Sequence, residues 1–371
     1  MARKKKQQKD ILIGIKILGV GGSGGNIVGR MYKSRLPGIE FYAINSDLQA
    51  LKRINGPKKI QIGKNITQGL GTGMNPDLGQ KAAEEAKDEL QSIIKNAQMV
   101  FITCGLGGGT GSGAAPVLAE ISKNLGILTV AVVTTPFSFE GRIRKEIAEK
   151  AIDELKDKVD TLIVISNDRL LDISGKEKTL LESFSLVDDI LKNAIIGISG
   201  IILLPGLINI DFADVKTIME NSGQALLGIG RGSGEEKAVK AVRQAMENPL
   251  LDLTLAGAKG ILFSIRGGTN LTLHEVNEAA KTITQNASEE AKIIFGAIIE
   301  ESLKDEVEIT VIASNFVSFS KEKEEKREFV PLMREKLPSG NLKKDIREIE
   351  EKTKEEEELE IPAFLRKKIR F

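Results

Sequence analysis

Between an apolar run that ends at Cys104 and a second that begins at Ala114 lies Gly105-Leu-Gly-Gly-Gly-Thr-Gly-Ser-Gly113, nine residues of which six are glycine. No other stretch restricts the fold so sharply. Glycine at this density costs entropy on folding, and a simple turn needs only one or two. Met99–Thr103 reads as a buried strand, and Ala114-Ala-Pro-Val-Leu-Ala-Glu-Ile121 opens a helix. Strand, glycine loop and helix N-terminus together aim backbone N–H groups and a positive dipole end at phosphate. The glycines permit φ > 0 and keep Cβ atoms from holding the phosphate away.

The same arrangement occurs once earlier. Ile11–Val20 is aliphatic and β-branched, leads into Gly19-Val-Gly-Gly-Ser-Gly-Gly-Asn26, and a helix is expected from Ile27. Gly19-x-Gly21-x-x-Gly24 also satisfies the dinucleotide pattern. The next strand, Glu40–Asn45, ends in Asn45-Ser-Asp47, where a dinucleotide fold places its ribose-binding acid. The first 50 residues therefore leave a nicotinamide-dependent oxidoreductase and another kind of nucleotide binder both open. A dinucleotide fold has no need of a second glycine cluster, which favours the other kind. No Gly-x-x-x-x-Gly-Lys-Ser/Thr is present, and residues 107–113 carry no cation. A triphosphate here would be met by N–H groups from two loops, two helix dipoles and an ion brought with the nucleotide.

Composition removes several other classes. Lys and Arg number 53 against 52 Asp and Glu, so there is no bulk electrostatic grip on nucleic acid or membrane. A single cysteine, Cys104, rules out an internal disulfide framework and suits a reducing cytosol. The single His274 and the lack of a Cys/His cluster argue against zinc, so no metal site of protein side chains is expected. The basic residues before Ile11 and the apolar run after them imitate a signal peptide. Lys16 interrupts that run, and cleavage after it would destroy the first glycine loop. A cytoplasmic protein without membrane insertion is expected.

Along the rest of the chain, Lys64–Pro76 is turn-rich, Asp77–Asn96 helical, and Ile127–Thr134 and Thr161–Ser166 are strands. The alternation implies an α/β fold with a doubly wound, mostly parallel sheet and ligands at the strand C-termini. Asn26, Asn45, Glu140, Arg144 and Asn167 fall at or just beyond such ends. Apolar spacing from Lys178 to about Ser199 is helical, and about 20 residues span about 30 Å. Asp188 and Asp189 interrupt that long central helix. A carboxylate there costs desolvation without a partner, and the N–H edge of guanine is one candidate. Asp211 and Asp214 read as an N-cap and a first-turn acid, which by itself would explain both. Gly228–Gly234 reads as a glycine-rich loop. Helix Glu235–Met246, strand Gly260–Ile265, helix Thr272–Asn286 and strands Lys292–Ile299 and Glu306–Ser314 suggest a second, smaller α+β domain.

Six segments are expected: a disordered basic tail (1–10), a nucleotide-binding domain (11–177), a central helix (178–200), an α+β domain (201–318), a charged linker (319–360) and a docking peptide (361–371). The linker is dominated by Lys and Glu and cannot build a core. As a flexible chain of about 40 residues it would reach about 35 Å. The apolar and basic end, Ile361-Pro-Ala-Phe-Leu-Arg-Lys-Lys-Ile-Arg-Phe371, reads as a docking peptide on that tether.

Gly107-Gly-Gly-Thr-Gly-Ser-Gly113 matches the tubulin signature loop. With Gly19–Asn26, Asn209-x-Asp211-x-x-Asp214 and Ile361-Pro-Ala-Phe-Leu-Arg366, in that chain order, the sequence closely resembles the FtsZ family of bacterial, tubulin-like cell-division GTPases. The resemblance covers residues 11–318 and the terminal peptide. It implies a tubulin-like GTPase domain binding GTP or GDP, with Mg2+, in which Gly21, Gly22, Ser23, Gly24, Gly25 and Asn26 face the phosphates. Gly107, Gly108, Gly109, Thr110, Gly111, Ser112 and Gly113 would form the opposite wall, Thr110 near the β/γ end. Gly71, Thr72 and Gly73 would lie beside the γ-phosphate, Glu140 and Arg144 on the ribose side, and Asn167 near the nucleoside. Asp188, or its neighbour Asp189, would read guanine. Asn209, Asp211 and Asp214 would enter the next subunit's site and position the attacking water. The implied partners are the chain itself, head to tail, and membrane-tethering and regulatory division proteins docked on 361–371, with the protein gathered at the division site as a ring of filaments.

Overall fold

The computed structural model describes residues 13–34, 38–169, 179–203, 206–246 and 257–316, without the side chains of 34, 180, 181, 183, 184 and 186. All fall in the first of two compact units, Met1–Ser318. The basic tail, the charged linker and the terminal peptide lie outside the described residues.

The chain begins with strand β1 (Ile15–Val20), which runs directly into helix α1 (Gly21–Met31). Next come β2 (Ile39–Asn45), α2 (Leu48–Arg53), β3 (Lys58–Gln61), α3 (Pro76–Glu85), α4 (Lys87–Ile94) and β4 (Met99–Gly105). Helix α5 (Gly109–Asn124), β5 (Leu128–Thr135), α6 (Arg142–Lys156) and β6 (Thr161–Ser166) follow. The six strands are parallel, in the order β3-β2-β1-β4-β5-β6. Their residues alternate between two cores. Ile15, Ile17, Met99, Phe101, Val130 and Val132 enter the core shared with α1, while Leu18, Val20, Val100, Ile102, Ala131 and Val133 meet α3 to α6. Both faces are covered, so these strands are continuous apolar runs rather than alternating ones.

Helix α7 (Leu180–Leu203) packs on the α1 side through Val187, Leu191, Ala194, Ile195, Ile198 and Ile201, a single stripe of period 3.6. After α8 (Phe212–Met219) the chain forms β7 (Gly223–Ser233), α9 (Lys237–Met246), β8 (Ala258–Gly267), α10 (Leu273–Thr284), β9 (Lys292–Ile299) and β10 (Glu306–Phe316). Strand β7 pairs in parallel with β6 only from Thr161 to Ile163, then antiparallel with β10. One ten-stranded sheet results, continuing β6-β7-β10-β8-β9. A third core lies between these last strands and helices α9 and α10.

Four local expectations are corrected. Gly228–Gly234 is a loop only at its last residue: Gly228, Gly230 and Gly232 lie on β7, where Cβ atoms would stand 2.2, 2.0 and 1.9 Å from carbonyl oxygens of α9. The glycines recur every second residue because one face of the strand receives a helix at backbone distance. Helices α1 and α5 start at Gly21 and Gly109, not at Ile27 and Ala114. Low helix propensity hides such starts, and close packing compensates for it: a Cβ at Gly24 would lie 2.3 Å from the Thr103 carbonyl. The helix expected over 77–96 breaks at Ala86 into α3 and α4, and α2 and β3 appear where the sequence pattern is too short to read.

Candidate nucleotide site

Strand β1 lies between β2 and β4, so the chain leaves it in one direction and later returns on its other side. In an open α/β sheet that reversal opens a crevice at the strand C-termini. Both glycine-rich stretches enter the crevice there, one after β1 and one after β4. Neither α1 nor α5 has a side-chain N-cap or an acid in its first turn. Their orphan N–H groups and positive dipole ends are left for a ligand. Gly21, at φ +74°, brings the two starts together, since a Cβ there would sit 3.1 Å from the Gly111 nitrogen. At Gly22 and Gly108 a Cβ would meet nothing within 4 Å. Both residues line a cavity of about 530 Å³.

Gly21, Gly22, Ser23, Gly71, Thr72, Gly73, Gly108, Gly109, Thr110, Gly111, Glu140, Arg144, Asn167 and Asp188 all line it. The Thr110 hydroxyl is 2.7 Å from that of Ser46 and 3.2 Å from that of Thr72, tying three segments together at one end. Glu140 accepts from Arg144 at 2.9 Å and from the Phe137 N–H at 3.1 Å. Among the described residues Arg144 is the sole basic residue in the lining, and this pair already engages it. Asn167 is buried, and its Oδ1 has no partner among the described residues, an amide oxygen left available to a ligand. Asp188 pairs with Arg30 of α1 at 2.7 Å. Burial pushes its carboxyl up to about 6, Arg30 pulls the other way, and Asp189 adds to the rise. Asp189 itself is exposed and absent from the lining, so of the two acids only Asp188 faces the cavity.

Other expected residues sit elsewhere. Gly24 and Gly25 are buried in packing contacts and Asn26 is exposed beyond the lining. Gly107, at φ +93°, turns against the Arg144 carbonyl, Ser112 accepts from the Gly107 N–H at 3.0 Å, and a Cβ at Gly113 would lie 2.0 Å from the Pro76 carbonyl. These residues shape the loop rather than face the cavity. Asn209, Asp211 and Asp214 are exposed, and none lines it. Asn209 accepts from the Gly206 N–H at 2.6 Å, and Asp211 caps α8, accepting from Ala213 at 3.3 Å. The sequence reading missed Leu70, Met74, Thr134, Pro136 and Val187, which also line the cavity, as does Asp47, read there only as the ribose acid of a dinucleotide fold. Asp47 lies two residues past the end of β2 and was legible from that position. Val187 was not, being one apolar residue among many on its helix.

The arrangement suits a polyanion at the glycine end and a base at the Asp188 and Asn167 end. It supplies no free acid for orienting water. Asp47 caps α2 through Gln49 and Ala50, Glu140 holds Arg144, and Asp188 holds Arg30. Among the described residues no group of three or more His, Cys, Asp or Glu is placed to hold a metal ion.

Such a sheet, with two glycine-led helix starts meeting at its switch point, defines a tubulin-like nucleotide-binding GTPase fold. Residues 14–175 match the GTPase domain of the Tubulin/FtsZ family, and residues 223–317 match the C-terminal domain of the FtsZ family. An FtsZ dimer from M. jannaschii is 44% identical, with 81% of this chain and 88% of that one covered and a TM-score of 0.78. A point variant of FtsZ from M. jannaschii is also 44% identical, at 82% and 91% coverage and a TM-score of 0.79. The GDP-bound CetZ1 monomer from Haloferax volcanii, 22% identical with 83% of this chain and 96% of that one covered, shares the fold at a TM-score of 0.71. The chain belongs to the FtsZ family and is a GTPase that binds guanine nucleotide. The nicotinamide-enzyme alternative has no support. Both matched segments are FtsZ-type, and Asp47, at the ribose-acid position, serves as a helix cap.

Proposed function

We propose that this protein hydrolyses GTP between subunits of a head-to-tail filament, and that these filaments build the ring at the division site. One observation carries the reading. The cavity gathers phosphate-binding N–H groups but has every lining carboxylate engaged, whereas Asp211 and Asp214 stand exposed outside it. A second copy supplying those acids would complete the site. Such a heterologous contact need not close and grows a filament. The dimeric M. jannaschii relative supports self-association.

In this reading the first turns of α1 and α5 hold the phosphates, Gly71 to Gly73 and Thr110 border the γ-phosphate, Glu140 and Arg144 the ribose, and Asn167 and Asp188 the guanine. Asp211 and Asp214 of the next copy, with Asn209 shaping their loop, orient the attacking water. The lining offers hydroxyls but no carboxylate cluster, a donor set that suits Mg2+ held mostly by phosphate oxygens and water. That ion would neutralise phosphate charge. Loss of the γ-phosphate then weakens the contact, coupling turnover to assembly. The terminal peptide 361–371 would dock on membrane-tethering division proteins, and no helix among the described residues is long and apolar enough to cross a membrane.

The test is GTPase rate against protein concentration, with sedimentation in GTP and GDP. A shared site gives a threshold concentration, while a rate per subunit independent of concentration would overturn it. Asp214→Ala is expected to bind GTP and assemble while turnover falls about 10²-fold, the scale for one preorganised catalytic group. Mixing it with Thr110→Arg is expected to restore activity, because each protein keeps one intact half-site.

A further inference from the structure

The acid that faces the base end of the cavity is not held there by its own helix. Asp188 lies on α7, beside the apolar stripe that packs on the α1 side, and its carboxylate is 2.7 Å from Arg30 at the last turn of α1. Arg30 does not line the cavity. Its guanidinium is half-exposed behind the carboxylate, whose own side chain is mostly buried. Other charges near Asp188 do not substitute for it. Asp189 on the same helix repels it, Lys192 stands one turn along, and across the cavity Asp47, Glu140 and Arg144 are engaged with other groups.

Resting on the reading of Asp188 as the guanine contact, we infer that Arg30 is a positioning residue for base selection. From outside the cavity it keeps the Asp188 carboxylate ionised and aimed at the base. Guanine presents N1–H and an exocyclic N2 amine on one edge, and only an ionised, oriented carboxylate accepts from both. A protonated carboxyl has lost part of that capacity. Burial already drives Asp188 towards protonation near neutral pH, and the guanidinium opposes it. The sign follows directly. As pH falls through about 6, Asp188 gains a proton and guanine binding weakens. Without Arg30 the same loss occurs at higher pH, because a nearby opposite charge lowers a carboxyl pKa by about 1–3 units.

The experiment measures binding of GDP and IDP, which lacks the N2 amine, from pH 5 to 8 for wild type, Arg30→Met, Arg30→Lys and Asp188→Asn. The nucleotide's own phosphate titrates near pH 6, and Asp188→Asn reports that common contribution. Wild type is expected to prefer GDP over IDP about 10-fold, the lower range for a bidentate base contact. In Arg30→Met the midpoint of the GDP profile rises by about one pH unit or more and the preference collapses at pH 7. Arg30→Lys restores both in part. Inorganic tripolyphosphate, which reaches only the glycine end, competes equally with all four proteins. An unmoved midpoint with an intact GDP preference in Arg30→Met overturns the role of Arg30. An equal loss for tripolyphosphate overturns it too, by showing a general structural defect. An Asp188→Asn protein that keeps the full GDP preference overturns instead the guanine assignment on which the inference rests.

Discussion

Single residues here divide between those that face the ligand and those that let two backbones meet, and glycine serves both purposes. Gly22 and Gly108 have open space where a Cβ would stand, whereas Gly24 and Gly113 have a carbonyl oxygen within 2.3 Å. Gly108→Val should therefore fold with little change in Tm and lose GDP affinity at least about 10-fold, because its side chain occupies the phosphate cradle. Gly113→Val should instead lose stability by about 1–3 kcal/mol or more, the cost of overpacking against an immovable carbonyl. Thermal melts with GDP titrations separate the two classes. The sequence shows both glycines in one motif and gives no sign of which is which. That distinction depends on which strand or helix lies opposite.

At the scale of elements, β7 shows how a sequence pattern is read wrongly. Its Gly-x-Gly-x-Gly run looks like a loop because glycine lowers strand propensity. In the fold it is the contact face for α9, whose backbone carbonyls approach more closely than any side chain would allow. Gly230→Val is expected to cost several kcal/mol, read as a lower urea midpoint, because α9 has to lift from the sheet. The corresponding substitution at exposed Arg231 should cost less, since its ion pair with Glu308 is more than half exposed on the arginine side. By contrast, β6 and β9 were legible to the residue. Their β-branched runs are bounded by turn residues, and β6, paired on both sides, fills a position that demands continuous apolar sequence, whereas β9 lies at the sheet edge and is only partly buried. The first turns of α1 and α5 were not legible, for the same reason as β7.

For the whole molecule, the sheet joins a parallel half and a mixed half through a short β6–β7 pairing, and the nucleotide cavity is lined by the first half and by helix α7, with no residue of the mixed half among its described lining. The proposed acids follow the helix α7 that leads from that cavity, at the start of α8, exposed to solvent rather than lining the cavity of their own chain. Under the proposed function, this separation would make the activity a property of a pair of copies. The terminal peptide should be dispensable for it. Deleting 361–371 is expected to leave the GTPase threshold and sedimentable polymer unchanged while abolishing recruitment to the division site. Recruitment that persists without the segment would remove it from the docking role.

The sequence by itself determined the class of ligand and the family. Glycine clusters placed after buried strands have few uses, because few ligands require that much exposed backbone N–H. It also determined the cap at Asp211, which accepts from an N–H two positions along the chain. The tertiary structure decided what local pattern cannot encode. It brought Gly21 against Gly111, chose Asp188 over Asp189, and placed Arg30 of one helix behind the acid of another. It also left Asp211 and Asp214 outside the cavity. Each of these depends on how distant segments pack, through contacts between residues tens to hundreds of positions apart.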